Sequence, residues 1–332
     1  MASLASLSTI NSPSGRGANA LTTILFKSMF LQYMEQNSGY ELDATNFRYR
    51  TYVPGSSLKV RPVGTGFSAT TLTPGSEQLG SLAFMGDSVE IDITYKRDAE
   101  KKLNTIDQWL QGELRERMLA YGPGLEIQMF NGSGASNNMK GLKNILNGTD
   151  DVPGFTGHKG VVNAKTYQGG SAVSFDMTTV TTAQAAKFKE MMNLVIGEVD
   201  NPTAIVCNRA AAGRITTFAD ALKVATTNSD YAGFGTRVKE YDGIPIIVLN
   251  DGAILNDEPD DTSGSALTNT TSIYVMGVGE GVLSQVTNSG LYYQDYDSPT
   301  NNQKDQEWWE YAGQWKVATK NSVRRLRNLK IV

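Results

Sequence analysis

Residues 101–146 read KKLNTIDQWLQGELRERMLAYGPGLEIQMFNGSGASNNMKGLKNIL. In the first part, Ile106, Leu110, Leu114 and Met118 recur at every fourth position, with Trp109, Tyr121, Leu125 and Met129 beside them. That spacing lines one face of a helix with apolar side chains. Asp107, Gln111, Glu113, Arg115 and Glu116 fall on the opposite face. At a rise of about 1.5 Å per residue the helix spans roughly 40 Å, the width of a small domain, so it acts as a strut. Gly122-Pro123-Gly124 is expected to kink or break it, because proline removes a backbone donor and clashes with the preceding turn. A glycine-rich turn, Asn131-Gly132-Ser133-Gly134, follows, and then Lys140-Gly141-Leu142-Lys143-Asn144-Ile145.

Upstream, residues 88–95 alternate, with Val89, Ile91, Ile93 and Tyr95 on one side and Glu90, Asp92 and Thr94 on the other. This is the pattern of a half-buried strand. Residues 54–87 hold six glycines and three prolines and show almost no helical signal. Two weakly alternating stretches, Leu58–Arg61 and Gln78–Phe84, suggest the arms of a long hairpin. An isolated two-stranded ribbon is marginal in water and needs another surface; the other reading is a loose lid or linker. Residues 19–37 read as a helix carrying Leu21, Ile24, Leu25, Met29, Phe30 and Met34, with Asn19 as cap and Gly39 just past the end. It either docks on its own core or reaches a neighbouring subunit.

Downstream, 181–196 has helical spacing through Ala185, Phe188, Met192 and Val195, with Gly197 as the stop. Ala204–Cys207 is a short buried strand, and Asn208 caps a helix through Ala212, Ile215, Phe218 and Leu222. Asp242-Gly243 is a hairpin turn leading into Ile244–Leu249. Residues 251–269 read as an acidic surface loop. Ile273–Val278 and Leu291–Tyr296 are further strands, and an aromatic strand around Trp308–Trp315 precedes Val323-Arg324-Arg325-Leu326-Arg327.

Composition narrows the function. The 332 residues suffice for two domains and a sizeable core. Lys and Arg total 30 against 34 Asp and Glu, a net charge of −4, which argues against a dedicated nucleic-acid binder. One cysteine, Cys207, excludes an intramolecular disulfide and a cysteine zinc site, and reads as a buried, inert thiol. The one histidine, His158, sits in a Gly- and Asp-rich stretch and reads as a solvated side chain. No Gly-x-Ser-x-Gly, Walker loop or His-Glu-x-x-His occurs, and Gly277–Gly281 misses the dinucleotide spacing, so no enzyme is expected. Asp257, Glu258, Asp260 and Asp261 match no defined calcium loop and read as a solvated acidic tip. No cofactor or metal is expected. Neither a secretory signal nor an apolar run of about 18 residues is present, so no membrane span is expected. The segment 314–332 carries six basic residues and no acid, so Arg324, Arg325 and Arg327 are candidates to touch DNA phosphates or acidic groups of a neighbour. The alternative is a strand with a basic polar face.

The long helix ending in Met129-Phe130-Asn131-Gly132-Ser133-Gly134, followed by Lys140-Gly141-Leu142, resembles the tailed-phage major capsid proteins. Their Hong Kong 97-type fold, α+β in class, is shared with encapsulins. The order hairpin, strand, long helix, then helix, strand, helix and a Gly-Ile-Pro strand, extends the resemblance over nearly the whole chain. It implies an N-terminal arm (1–53), an extended hairpin or E-loop (54–87), a peripheral domain with the spine helix (88–154 and 301–332) and an axial domain (155–300). It also implies that the hairpin lies across the adjacent subunit, which makes Lys59, Arg61, Phe67, Glu77, Leu79 and Phe84 the candidate subunit contacts.

The implied function is self-assembly through hexamers and pentamers into the icosahedral head of a tailed double-stranded DNA phage, assembled in the host cytoplasm. The implied partners are copies of itself, a portal, a decoration protein in some members, and packaged DNA touched non-specifically. Fewer than 55 residues precede the hairpin, too few for a fused scaffold, so a separate scaffolding protein and little processing are expected. One relative crosslinks its subunits through Lys and Asn; Lys59 with Asn321 or Asn328 would be the candidates here, but the local sequence does not match and no crosslink is expected. An encapsulin compartment is the alternative within the fold. A β-rich surface adhesin and a hydrolase are the alternatives outside it.

Overall fold

A computed structural model describes residues 28–37, 39–41, 46–51, 76–92, 105–135, 137–147, 151–155, 157–158, 160–169, 172–222, 228–230, 237–250, 252–258, 267–279, 281–296 and 304–332. In chain order the elements begin with α1 (Met29–Asn37), β1 (Gly39–Glu41), β2 (Asn46–Arg50), β3 (Glu77–Ser81), β4 (Ala83–Asp92), α2 (Thr105–Asn131) and α3 (Leu142–Ile145). They continue with β5 (Val161–Asn163), α4 (Lys165–Gln168), β6 (Phe175–Asp176), α5 (Thr182–Gly197), β7 (Ala204–Cys207), α6 (Arg209–Ala221), β8 (Asn228–Asp230), β9 (Arg237–Tyr241) and β10 (Ile244–Val248). The last four strands are β11 (Thr270–Met276), β12 (Leu283–Tyr296), β13 (Lys304–Val317) and β14 (Val323–Lys330).

The larger sheet runs β5-β14-β11-β7-β10-β9-β8, with β6 also pairing β14. β7 and β11 are buried at every position. The reason is visible in their alternation. Ala204, Val206, Tyr274 and Met276 face the core that contains α1 and α2, whereas Ile205, Cys207, Ile273 and Val275 face the core of α5 and α6. A strand buried on both faces reads as a continuous apolar run. The cap anticipated at Asn208 forms, its Oδ1 accepting from Ala211 N at 2.8 Å, and Thr181 Oγ1 caps α5 by accepting from Gln184 N at 3.2 Å. Asp242 (φ +54) and Gly243 (φ +77) make the β9–β10 turn, where Ile244 pairs Tyr241. Two left-handed residues suit the twist of a tight hairpin.

The second sheet, β1-β12-β13-β4, lies against α2. Its strands outrun the sequence reading. The strand expected at 88–95 spans Ala83–Asp92, because β13 pairs it from Gly313 back to Lys304. Ile93 and Tyr95 lie outside the described residues. The strand expected from Leu291 begins at Leu283. The sheets also cross the expected domain boundaries: β12 pairs β13, while β14 sits between β5 and β11 in the larger sheet.

Two expectations need correction, and one open choice is resolved. First, α2 does not break at Gly122-Pro123-Gly124; it is continuous over 27 residues. An internal proline costs about 3 kcal/mol, but the helix is held on both sides of it. Tyr121 Oη donates to the Met85 carbonyl and its ring meets Trp309 edge-on at 6.3 Å, while Leu125 and Met129 are buried beyond. Second, of the two readings left open for the N-terminal helix, Met29–Asn37 takes the docked one. Phe30, Leu31, Tyr33 and Met34 are buried, and Phe30 packs edge-on to Phe130 at 5.1 Å. Asn19 and Leu21–Leu25 lie outside the described residues. Third, the hairpin roots at Asn46–Arg50 paired with Glu77–Ser81, earlier than residue 54, and Gln78 pairs Tyr49 rather than a residue of Leu58–Arg61. Leu58–Arg61 lies outside the described residues.

Candidate assembly surface and the polar anchors behind it

The β2–β3 ribbon has two unlike faces, fixed by its register. Phe47 opposite Gly80 and Tyr49 opposite Gln78 face inward; Phe47 packs with Leu82, Val286 and Ala312, and Tyr49 stacks on it at 5.8 Å. Gly80 is required there, since a Cβ would lie 2.3 Å from the Phe47 ring. The opposite face carries Asn46, Arg48, Arg50, Glu77, Leu79 and Ser81, all exposed. Arg48 and Glu77 pair at 3.6 Å across this face. Leu79 is 74 % exposed and Phe84, three residues past the ribbon, is 49 % exposed. Of the candidate contacts, Glu77 and Leu79 thus share the outer face of the ribbon, and Phe84 is exposed on β4. Lys59, Arg61 and Phe67 lie outside the described residues.

The ribbon is rooted firmly. Thr51 N donates to the Ser76 carbonyl at 3.1 Å, the two hydroxyls lie 2.9 Å apart, and Ser76 Oγ donates to the Gly154 carbonyl at 3.3 Å.

Behind the ribbon, the Asn-Gly-Ser-Gly and Lys-Gly-Leu segments close on each other. Ser133 and Lys140 form a bridge, and Gly141 N donates to the Gly132 carbonyl at 2.8 Å. A Cβ on Gly132 would meet the Met139 carbonyl at 2.1 Å, and one on Gly141 the Phe130 carbonyl at 2.5 Å. Both glycines are therefore demanded by backbone lying on backbone. Asn144 Nδ2 donates to the Gly132 carbonyl at 2.7 Å, and Asn131 Nδ2 to the Ala253 carbonyl at 2.7 Å. This turn terminates α2 and ties it to the turn that follows β10.

A second tie is the buried carboxylate of Glu126 on α2. It accepts from the Ser28 hydroxyl and from Asn250 N at 2.8 Å, joining α1, α2 and the end of β10. Burial raises its pKa; the hydrogen bonds from Ser28 and Asn250 pull the other way. Sequence reading passed over Glu126, although an acid between Leu125 and Met129 on an apolar stripe is itself a signal.

The basic C-terminal segment is the clearest correction. Arg325 is 0 % exposed; it pairs with Glu258 at 3.1 Å, donates to Ser272 Oγ at 3.1 Å and to the Leu146 carbonyl at 3.2 Å. Arg324 and Arg327 are also buried. β14 is an interior strand, and all three arginines are buried within their own subunit rather than on an open basic face. Glu258, expected on a solvated tip, is buried between Arg325 and Lys143, whose Nζ lies 3.8 Å away. Asp260 and Asp261 lie outside the described residues. Asn328, with φ +61 at the bulge where β14 slips against β11, is buried and donates to Asn163 Oδ1 at 2.8 Å; Asn321 accepts from Arg324 at 3.1 Å.

His158 is not a free surface side chain. It is half-buried, and its Nε2 meets the Arg324 guanidinium, which also holds Glu198 Oε2 at 2.9 Å. Cys207 is fully buried, and burial pushes its thiol up to about 12, far from the range of a nucleophile. Among the described residues no group of three or more His, Cys, Asp and Glu side chains could hold a metal, and no helix is long and apolar enough to cross a membrane.

A long helix under a mixed sheet, a sheet sandwiched by helices, and a rooted outward ribbon define the Hong Kong 97-type fold of phage capsid proteins and encapsulins. Among solved structures, the capsid of cyanophage A-1(L) matches with a TM-score of 0.60 at 10% identity, over 92% of this chain and 93% of that one. The holo-SrpI encapsulin of Synechococcus elongatus PCC 7942 matches with 0.57 at 13% identity, over 91% and 88%. The capsid of the empty GTA particle matches with 0.55 at 15% identity, over 90% of each. No protein-family profile matches the chain, and no curated protein sequence does.

Proposed function

We propose that this chain is the major shell subunit of an icosahedral capsid, and specifically of a tailed double-stranded DNA phage head. The observation that carries the reading is the fold shared with shell proteins over about nine-tenths of the chain, combined with a rooted ribbon whose whole outer face is exposed. A subunit of this kind needs no catalytic group, and we assign none. The ribbon gives one patch and its acceptor another, so contacts are heterologous and close into rings, the hexamers and pentamers of a shell. Assembly in the host cytoplasm with a separate scaffolding protein and a portal, and placement in the virion, follow from this reading. Decoration and DNA contact would use surfaces other than the buried arginines of β14.

The encapsulin reading has its own support in the Synechococcus elongatus match. Electron microscopy of the purified protein, with an assay of the nucleic acid inside particles made in the presence of phage packaging proteins, separates the two. Closed particles that take up DNA support the phage head. Closed particles that exclude DNA and enclose protein support the compartment, and a monomer that never assembles contradicts both.

A further inference from the structure

Residues 151–160 form a short loop with a contact at each end. Near its start, the Gly154 turn (φ +84) is wedged into the ribbon root; a Cβ there would lie 2.4 Å from Thr51 Cγ2, and its carbonyl accepts from Ser76 Oγ. Near its end, His158 Nε2 meets Arg324 of β14, and the Gly160 carbonyl accepts from Arg325 N at 3.0 Å. Between these points the loop is braced. Val152 N donates to the His158 carbonyl at 2.7 Å, Phe155 N to the Val152 carbonyl at 2.9 Å, and His158 N to the Phe155 carbonyl at 3.2 Å. The Val152 and Phe155 side chains are buried. Displacement at His158 is therefore passed to Gly154 rather than absorbed in slack chain.

A guanidinium has donors only, so the imidazole nitrogen that faces it must accept. That requires the neutral ring. We infer that His158 is a proton-operated clasp, which holds the ribbon root through the Gly154 turn when neutral and releases it when protonated. The charged groups around it are unequal. Arg324 and Lys320 are cationic neighbours; Glu198 is the acid on that side and is already engaged by Arg324. Asp151, on the loop itself, is engaged by Gly157 N at 2.7 Å. An imidazolium would therefore stand against Arg324; the Lys320 carbonyl and Glu198 favour it, but burial and the Arg324 charge outweigh them.

Burial, and next the charge of Arg324, hold the ring below its ordinary value of 6.5. The sign follows: the clasp's contribution is full above 6.5, and it is lost as pH falls through the depressed folded-state value. The inference stands on contacts within one subunit and does not require the shell reading.

The test is hydrogen exchange on the full chain at pH 7.5 and pH 5, wild type beside His158→Gln, each corrected against its unfolded chain at the same pH. Glutamine offers an acceptor that does not titrate. In wild type, peptides covering Asn46–Thr51 and Ser76–Ser81 should exchange faster at pH 5, by up to about tenfold for each unit of pKa depression. In His158→Gln that acceleration should vanish. Equal acceleration in both proteins, or none in wild type, would overturn the clasp. As the chain has one histidine, acylation by diethyl pyrocarbonate followed by mass spectrometry gives an independent readout on wild type alone. Half-titration below 6.5 is expected; a value at or above it would overturn the Arg324 contact as the cause.

Discussion

The indole Nε1 of Trp315 donates to the carbonyl of Met129 at 2.8 Å, joining residues 186 positions apart. Met129 lies in the last turn of α2, where carbonyls have no partner inside the helix. Strand β13 thus caps the long helix, and the aromatic strand is structural cement. Trp315→Phe keeps most of the ring and strands a buried carbonyl, a loss of about 1–3 kcal/mol. Trp315→Ala adds a cavity and should cost about 3–5 kcal/mol. Urea unfolding of the unassembled subunit should rank them in that order.

Gly132 and Gly141 allow backbone to lie on backbone, whereas Gly213 within α6 faces open space. Gly132→Ala or Gly141→Ala should cost about 1–3 kcal/mol by overpacking, and soluble yield should fall with it. Gly213→Ala should stabilise by about 0.5–1 kcal/mol, since alanine loses less backbone entropy in a helix. Thermal melts of the three variants check the opposed signs.

Glu126 is raised above the usual carboxylate value of 4.5 by burial. Its folded state holds a proton more readily than its unfolded state. Its contribution is therefore greatest below 4.5 and is lost as pH rises through the folded-state pKa. Glu126→Gln removes that dependence. The difference in melting temperature, variant minus wild type, should be level above the folded-state pKa and fall as pH drops from there toward 4.5. A difference constant across that range would contradict the assignment.

Glu258 and Arg325 form a buried pair, and breaking one side is worse than removing both. Glu258→Met alone leaves the guanidinium uncompensated and should cost about 3–5 kcal/mol. Glu258→Met with Arg325→Met should recover most of that loss in the same denaturation assay.

Much of this architecture is written locally. The apolar run Ala204–Cys207, the cap at Asn208 and the Asp242-Gly243 turn are each decided by a few neighbouring residues, and each forms as read. What could not be read is decided by partners far along the chain. Pro123 stays helical because Tyr121 and Trp309 hold its flanks. Arg325 turns inward because Glu258 waits there, and a run of basic residues looks the same whether it meets solvent or a buried acid. The ribbon root shifted to Asn46–Arg50 because Phe47 needs the space over Gly80, a cross-strand fit that single-strand alternation does not contain. Glu77, Leu79 and Phe84 are candidate subunit contacts by resemblance alone, and the structure adds only that they are exposed.

The central claim is that the outer face of the ribbon is completed by the next copy of the chain. Leu79→Asp places a charge on that face without touching the Phe47 side, so the subunit should fold and melt as wild type does. Sedimentation velocity on the two purified proteins tests this most directly. The account predicts wild type as large, uniform closed particles and Leu79→Asp as folded, unassembled subunits or single rings. Particles of equal size and yield from both, or a wild type that remains monomeric, would contradict it.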